Sequence, residues 1–145
     1  MNVLFLCTGN SCRSQMAEGW ARYLGGDWIE AHSAGIDAHG KNSRAIAVMR
    51  EVGVDISRQE SHRLSDEMLA SVDYLVTVCG HADENCPVLP PGMRKEHWSL
   101  IDPAKATGSE EEVMAVFRES RHDIRRRVED LIGRLKGECE KKDHE

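Results

Sequence analysis

A nucleophile and an anion-binding pattern coincide near the start of the chain. Five residues separate Cys7 from Arg13, and Ser14 follows directly. A loop that enters a helix turns successive backbone N–H groups into one concave nest, with the positive end of the helix behind it. The guanidinium of Arg13 adds a permanent positive charge and several hydrogen-bond donors in a fixed planar arrangement. The positive potential of the loop also stabilises a cysteine thiolate. The spacing therefore predicts a Cys7 nucleophile in a site for a tetrahedral oxyanion.

The flanking sequence strengthens this interpretation, because Cys-x5-Arg alone is a weak pattern. Residues 3–6 form a continuous apolar run typical of a buried parallel strand. After the loop, apolar residues recur at helical spacing over residues 13–24. The alternative is a small buried cysteine and a solvated helix start. The residues predicted to bind the oxyanion are Thr8, Gly9, Asn10, Ser11, Cys12 and Arg13.

Two further reactive side chains follow predicted strands. Cys79 comes directly after the strand at residues 74–78, and Asp102 follows a polar segment, residues 94–98, that we interpret as an edge strand. Open α/β sheets bind ligands at the carboxyl ends of their strands, where Cys7 also lies. A buried strand-end cysteine and an Asp-Pro turn are the alternative interpretations.

The remaining sequence predicts the elements that position these groups. Helices are expected at 46–52 with Gly53 as the cap, after Ser65, and from the Ser109–Glu112 capping box onward. The order β-α-β-α-α-β-β-α predicts an α/β fold, a four-stranded parallel sheet with helices on both faces. We expect one domain over residues 1–137 and a charged, frayed tail over 138–145.

Composition narrows the functional class. The chain has 145 residues and a formal net charge of −6, which argues against nucleic acid as the main partner. No signal peptide or membrane-length apolar run is present, so we expect a cytoplasmic protein with no membrane partner. An odd number of cysteines does not suggest a disulfide framework. The five are Cys7, Cys12, Cys79, Cys86 and Cys139; we expect Cys12 to have a packing role and Cys139 to be incidental.

The run from Phe5 to Trp20 resembles the low-molecular-weight protein tyrosine phosphatases, and more specifically the thioredoxin-coupled arsenate reductases that share their fold. The resemblance implies a phosphatase-like fold, arsenate as substrate, phosphate or sulfate as competing anions, thioredoxin as external reductant and no bound cofactor. Further matching segments are 33–36, 52–57, 78–80, 86–87, 96–98 and 102–104.

The resemblance also implies a reaction cycle. Cys7 attacks arsenic, Asp102 protonates the leaving oxygen, and Cys79 then attacks the Cys7 sulfur. Cys86 attacks Cys79 and frees Cys7, and thioredoxin reduces the last disulfide. Ser14 is expected to hydrogen-bond the Cys7 sulfur. If the first and third strands are neighbours, their axes lie about 4.8 Å apart, which suits the ~4.4–6.8 Å Cα separation of a disulfide.

Two other functional classes fit part of the pattern. A phosphatase would use the same loop and Asp102, but it has no need for Cys79 and Cys86, and Ala104 stands where phosphotyrosine enzymes carry aromatic residues. A non-catalytic redox or zinc-binding module could draw on Cys79, His81, Cys86 and His97, although this spacing matches no common zinc pattern.

No metal is predicted. Some members of the resembled family hold potassium beside the first loop, and Asn10, Glu18 and Ser33 match three of its positions. Glu60 and His62 replace the Thr and Asp of the others. These two replacements argue against a potassium site here.

Overall fold

A computed structural model describes residues 1–84, 89 and 91–143. Four strands, β1 (Asn2–Cys7), β2 (Glu30–Gly35), β3 (Tyr74–Thr77) and β4 (Arg94–His97), form one sheet in the order β2-β1-β3-β4. All neighbouring strands are parallel. The predicted parallel sheet is confirmed, and β1 and β3 are neighbours.

Strand β1 lies at the centre because its side chains are apolar on both faces. Every residue from Val3 to Cys7 is buried, and the Phe5 ring lies 5.7 Å from the Trp98 ring between centroids. Burial of a large apolar side chain contributes about 1.5–3 kcal/mol. Cys7 ends this strand and therefore emerges at the carboxyl edge of the sheet.

In the part of the chain that the structure describes, five α-helices pack around the sheet: α1 (Arg13–Gly25), α2 (Ser43–Arg50), α3 (Asp66–Ala70), α4 (Gly80–Glu84) and α5 (Glu110–Asp143). Adjacent residues of β2 show that helices cover both faces, since alternate side chains of a strand point in opposite directions. Ser33 hydrogen-bonds Glu18 of α1, whereas His32 lines a small cavity with Met68 of α3. None of the helices in the described residues is long and apolar enough to span a membrane.

Most predicted boundaries are confirmed. Helix α1 ends at Gly25, and Ser65 caps α3 by accepting a hydrogen bond from the Met68 N–H. Ser109 caps α5 by accepting from the Glu112 N–H, as the predicted capping box requires, but the Glu112 carboxylate accepts from the Ser109 hydroxyl and not from its backbone N–H. Helix α2 ends at Arg50, earlier than predicted, and Gly53 follows with a φ of 81° that favours glycine.

Two expectations about the elements were wrong. The predicted order lacked α4, which begins immediately after Cys79; five residues are too few for a clear helical periodicity. The tail was expected to fray from residue 138, but α5 continues to Asp143. Glu138 forms an ion pair with Arg94 of β4, which ties this part of the tail to the sheet edge.

Strand β4 is polar because its side chains pair with α5 instead of entering the core. Glu96 accepts hydrogen bonds from Tyr74, Trp98 and Arg134. These donors hold the pKa of Glu96 below its ordinary value, although burial opposes the shift. The edge strand inferred from this polar sequence is confirmed.

Candidate active site

The thiol of Cys7 is buried at the end of β1 and bonded to the first turn of α1. Its sulfur lies 2.9 Å from the Ser14 hydroxyl oxygen. The Asn10 amide donates to the same oxygen at 2.9 Å. That bond uses a lone pair of the Ser14 oxygen and leaves the serine hydrogen free to be donated to the sulfur. The predicted contact between Ser14 and Cys7 is present.

The loop between β1 and α1 turns its carbonyl groups outward. Each carbonyl oxygen from residue 7 to residue 11 accepts a hydrogen bond from outside the loop. The donors are the N–H groups of Ile36, Asp37, His39 and Asn42 and the side chains of Gln15 and Ser61. With the carbonyls turned away, the N–H groups are left for the inner side, as in an anion-binding nest. The geometry thus supports the predicted oxyanion site.

Arg13 extends from the start of α1 across the mouth of the loop. One of its nitrogens donates to the Leu100 carbonyl at 3.3 Å, and another lies 3.5 Å from an Asp102 carboxylate oxygen. The other Asp102 oxygen accepts from the Ala104 N–H at 3.0 Å. Both side chains are largely buried, with 12% and 24% exposed. A guanidinium suited to binding an anion and a carboxyl group suited to proton transfer therefore lie side by side at the cleft.

Cys79 lies beside the same loop. Its sulfur is 3.2 Å from the Thr8 hydroxyl oxygen, and the Ala82 N–H of α4 donates to it at 3.4 Å. Cys7, Cys12 and Cys79 are all free thiols. Sequence placement thus brings Cys7 and Cys79 to one edge of the sheet, as predicted. Cys86 lies outside the described residues.

Cys12 differs from Cys7 although both belong to the loop. Burial raises the pKa of the Cys12 thiol, and the negative charge of Asp102 raises it further. Its side chain is 3% exposed and belongs to the hydrophobic core. A neutral, buried thiol supports the packing role predicted for Cys12.

Cys7, Cys12, Arg13, Cys79 and Asp102 line one cleft of about 470 Å³, whereas Asn10 and Ser14 lie buried behind it. His39 and Lys105 also line it, and neither was among the predicted site residues. His39 lies in a loop and Lys105 ends a short 3-10 helix, Pro103–Lys105, and sequence reasoning does not distinguish such polar residues from ordinary surface positions. A groove of about 530 Å³ between Ile101 and α5 is larger, but its described lining contains no cysteine. The chemistry therefore belongs to the smaller cleft.

Within the described residues, no group of three or more His, Cys, Asp or Glu side chains is arranged to hold a metal ion. Glu18 is buried, and its two oxygens accept from Ser33 and Arg22, each at 2.6 Å. The ring of His97 bonds to Thr77 at 2.8 Å. The two carboxylate oxygens of Glu18 and the bonded ring nitrogen of His97, considered above as candidate metal ligands, thus already have hydrogen-bond partners within the protein.

Comparison with known proteins identifies the family. Residues 2–141 match the low molecular weight phosphotyrosine protein phosphatase family. The chain belongs to this family. A relative named arsenate reductase from Halalkalibacterium halodurans is 52% identical over 127 residues, covering 87% of this chain and 91% of the relative.

Solved structures of this phosphatase family fold include reductases. An arsenate reductase in the phosphate binding state superposes with a TM-score of 0.74 and 36% identity, covering 92% of this chain and 97% of that one. A thioredoxin-dependent arsenate reductase from Corynebacterium glutamicum superposes with a TM-score of 0.69 and 28% identity. The match covers 91% of this chain and 61% of that one. Solved structures that this chain resembles thus include proteins named as arsenate reductases.

Gly35 supports the phosphatase-type loop from the neighbouring strand. It pairs with Cys7 in the sheet register, and an added Cβ would lie 2.1 Å from the Asp37 carbonyl oxygen and 2.8 Å from the Asn10 nitrogen. Backbone atoms cannot yield as a flexible side chain does. We expect Gly35→Ala to lower the free energy of unfolding by more than about 2 kcal/mol, measured by urea denaturation.

Gly133 provides the matched control. It is exposed in α5, and an added Cβ meets nothing within 4 Å. Gly133→Ala should raise the free energy of unfolding by about 0.5–1 kcal/mol, since alanine favours a helix interior. Equal unfolding midpoints for Gly35→Ala and the wild type would contradict the close contact of β2 with the loop.

Proposed function

We propose that this protein is an arsenate reductase that converts arsenate to arsenite by a relay of Cys7, Cys79 and Cys86. The observation that carries the proposal is a second free thiol, Cys79, at the rim of the oxyanion loop, bonded to Thr8 of that loop. Hydrolysis of a phosphate ester needs one cysteine, whereas a two-electron reduction needs a second thiol. The relatives named arsenate reductases support this choice.

The first step forms a thiol adduct. The Cys7 thiolate attacks arsenic, while the inward N–H groups and Arg13 bind the arsenate oxygens. The bond from arsenic to one hydroxyl group of hydrogen arsenate breaks, and Asp102, protonated for this step, gives its proton to that hydroxyl oxygen, which leaves as water. The 3.5 Å separation of Arg13 and Asp102 places the clamp and the acid on one side of the cleft.

The second step reduces arsenic. Cys79 attacks the Cys7 sulfur, the S–As electron pair passes to arsenic, and arsenite leaves as the Cys7–Cys79 disulfide forms. The Thr8 hydroxyl holds the Cys79 sulfur at 3.2 Å beside the nucleophile's own strand end. Because β1 and β3 are adjacent, little movement of the sheet is needed.

The last step regenerates the enzyme. Cys86 attacks Cys79, Cys7 returns to its thiolate, and an external dithiol reduces the Cys79–Cys86 bond. We propose thioredoxin as that reductant, supported by the thioredoxin-dependent relative from Corynebacterium glutamicum. No bound cofactor is required, since the electrons come from thiols. Dependence on a reduced thiol pool favours the cytoplasm.

A phosphatase is the second candidate, because the family match and the Cys7, Arg13 and Asp102 arrangement serve it equally. The cleft argues against a phosphotyrosine substrate. Ala104 and Lys105 follow Asp102 in its lining, and the described lining contains no Phe, Tyr or Trp to stack on a phenol ring. Slow hydrolysis of a small phosphate ester is the expected side activity.

The decisive assay measures NADPH consumption with arsenate, thioredoxin and thioredoxin reductase. We expect turnover that requires both arsenate and thioredoxin and that sulfate or phosphate inhibits by occupying the loop. Hydrolysis of phosphotyrosine and p-nitrophenyl phosphate is measured in parallel. Absence of arsenate-dependent turnover, together with rapid phosphotyrosine hydrolysis, would establish the phosphatase instead.

A further inference from the structure

A chain of side-chain hydrogen bonds runs from the surface of α1 to the loop that holds Cys7. Arg22 donates to the Gln59 side-chain oxygen at 3.1 Å. The Gln59 amide nitrogen donates to the Gln15 side-chain oxygen at 2.8 Å, and the Gln15 nitrogen donates to the Asn10 carbonyl at 3.1 Å. Asn10 in turn donates to Ser14, the partner of Cys7.

The direction of this chain is fixed at both ends. At the loop end, the Gln15 nitrogen has two carbonyl partners, Asn10 and Glu60, and a carbonyl can only accept. At the surface end, Arg22 can only donate. Each glutamine must therefore present its oxygen toward Arg22 and its nitrogen toward the loop. Reversing either amide would set oxygen against oxygen in a buried place.

The hydrogen-bond chain ends at Asn10, whose backbone conformation is unfavourable unless neighbouring groups stabilise it. Asn10 has a φ of 50°, in the left-handed region that residues with a Cβ seldom adopt. Its carbonyl accepts from Gln15 and from Ser61, and its side-chain oxygen accepts from the His62 N–H at 2.6 Å. These bonds hold the Asn10 amide nitrogen where it meets Ser14.

The chain acts on Cys7 through the serine hydrogen. While Asn10 donates to the Ser14 oxygen, the Ser14 hydrogen is left for the Cys7 sulfur 2.9 Å away. A thiolate accepts hydrogen bonds, and bonds to a charged acceptor are the stronger kind. If Asn10 moved, Ser14 could turn its hydrogen to another acceptor and the thiolate would lose this donor.

We propose that Gln15, Gln59 and Arg22 are positioning residues that orient Asn10 and Ser14 toward the Cys7 sulfur. None of the three lines the active-site cleft. Gln15 is fully buried and Gln59 is 6% exposed, so water does not readily replace their bonds. The Arg22 side chain is 55% exposed, whereas its partner Glu18 is 7% exposed and fixes the guanidinium at 2.6 Å. The inference rests on the proposed role of Cys7 as nucleophile.

Gln59→Glu is the principal test. It keeps the side-chain shape but replaces the amide nitrogen, a hydrogen-bond donor, by an oxygen that can only accept. A carboxylate still accepts from Arg22 but places an oxygen against the Gln15 oxygen. We expect Cys7 alkylation by iodoacetamide at pH 7, without oxyanion, to slow about tenfold, the size expected for losing a hydrogen bond to a charged group. The kcat values for arsenate and p-nitrophenyl phosphate should fall in parallel. The phosphate concentration that protects Cys7 should change less than about twofold.

Three further variants separate positioning from folding. Gln59→Met removes the donor without opposing oxygens, so it provides a variant that folds if Gln59→Glu does not, with a smaller decrease of about threefold. Arg22→Lys keeps a donor and should retain the wild-type alkylation rate. The Cys7 alkylation rate of Arg22→Met should lie between those of Arg22→Lys and Gln59→Met. Water can partly replace Arg22, because it reaches the exposed end of the hydrogen-bond chain. Urea denaturation of each variant measures the folded fraction.

Slower alkylation of folded variants with phosphate protection retained supports the positioning role. An unchanged alkylation rate in folded Gln59→Met overturns it. So does an equal loss of alkylation and phosphate protection, because the glutamines would then maintain the whole loop instead of the serine contact. The alkylation assay needs no arsenate. If the wild type fails to reduce arsenate but Gln59→Met still slows alkylation, the proposed function fails and the positioning role stands.

Discussion

Cys79→Ser should reduce thioredoxin-dependent arsenate turnover by at least about 10³-fold and leave hydrolysis of p-nitrophenyl phosphate within about threefold of the wild type. Hydrolysis uses Cys7, Arg13 and Asp102, none of which this substitution removes. Reduction requires a second sulfur to attack the Cys7 adduct, and a serine oxygen cannot form a disulfide. The serine hydroxyl can still bond to Thr8, 3.2 Å from the present sulfur, so the loop keeps its support.

The adduct itself offers a second measurement. Without Cys79, Cys7 should bind arsenic and stop there, so arsenate should inhibit p-nitrophenyl phosphate hydrolysis and no arsenite should be released. Cys139→Ser is the matched control, because Cys139 lies near the chain end, far along the sequence from the three proposed relay cysteines. It should keep both activities. If a folded Cys79→Ser protein loses both activities, Cys79 has a structural role in the cleft and not the proposed redox role.

The parts of the site that could be predicted from sequence are those tied to strand ends. Cys7, Cys79 and Asp102 each follow a strand, and parallel strands present their carboxyl ends at one edge. The Cys-x5-Arg spacing was then sufficient to predict the oxyanion loop and the position of Arg13. A short loop between a strand and a helix leaves the backbone few alternative conformations. Strand β4 was harder, since its polar side chains find partners on α5, more than thirty residues later.

Contacts between distant loops could not be predicted in the same way. His39 reaches the cleft because its N–H bonds to the Gly9 carbonyl at 2.9 Å, and Gln59 reaches Gln15 across 44 positions. Polar loop residues carry no periodicity, so no pattern marks which of them turn inward. Helix α4 was missed for another reason. Its five residues are too few to show a helical repeat of apolar side chains.

Cys7→Ser should abolish both arsenate reduction and phosphate ester hydrolysis, by at least about 10⁴-fold, because both reactions begin with attack by its sulfur. The oxyanion nest should survive, since backbone groups and Arg13 form it. Calorimetry should therefore show phosphate binding by the inactive variant within about tenfold of the wild-type affinity.

Cys12→Ser is the informative comparison, since it makes the same substitution in the same loop. The Cys12 thiol is buried in the core and its pKa is raised, so it offers no nucleophile, and only the fit of a buried side chain is disturbed. Both activities should fall by less than about tenfold, with a lower free energy of unfolding as the larger effect. Comparable losses of activity in the two folded variants would mean that the chemistry depends on a pair of loop thiols. Cys7 and Cys12 would then share the redox role proposed for Cys7 and Cys79, and mass mapping of the arsenate-oxidised protein would show which pair is joined.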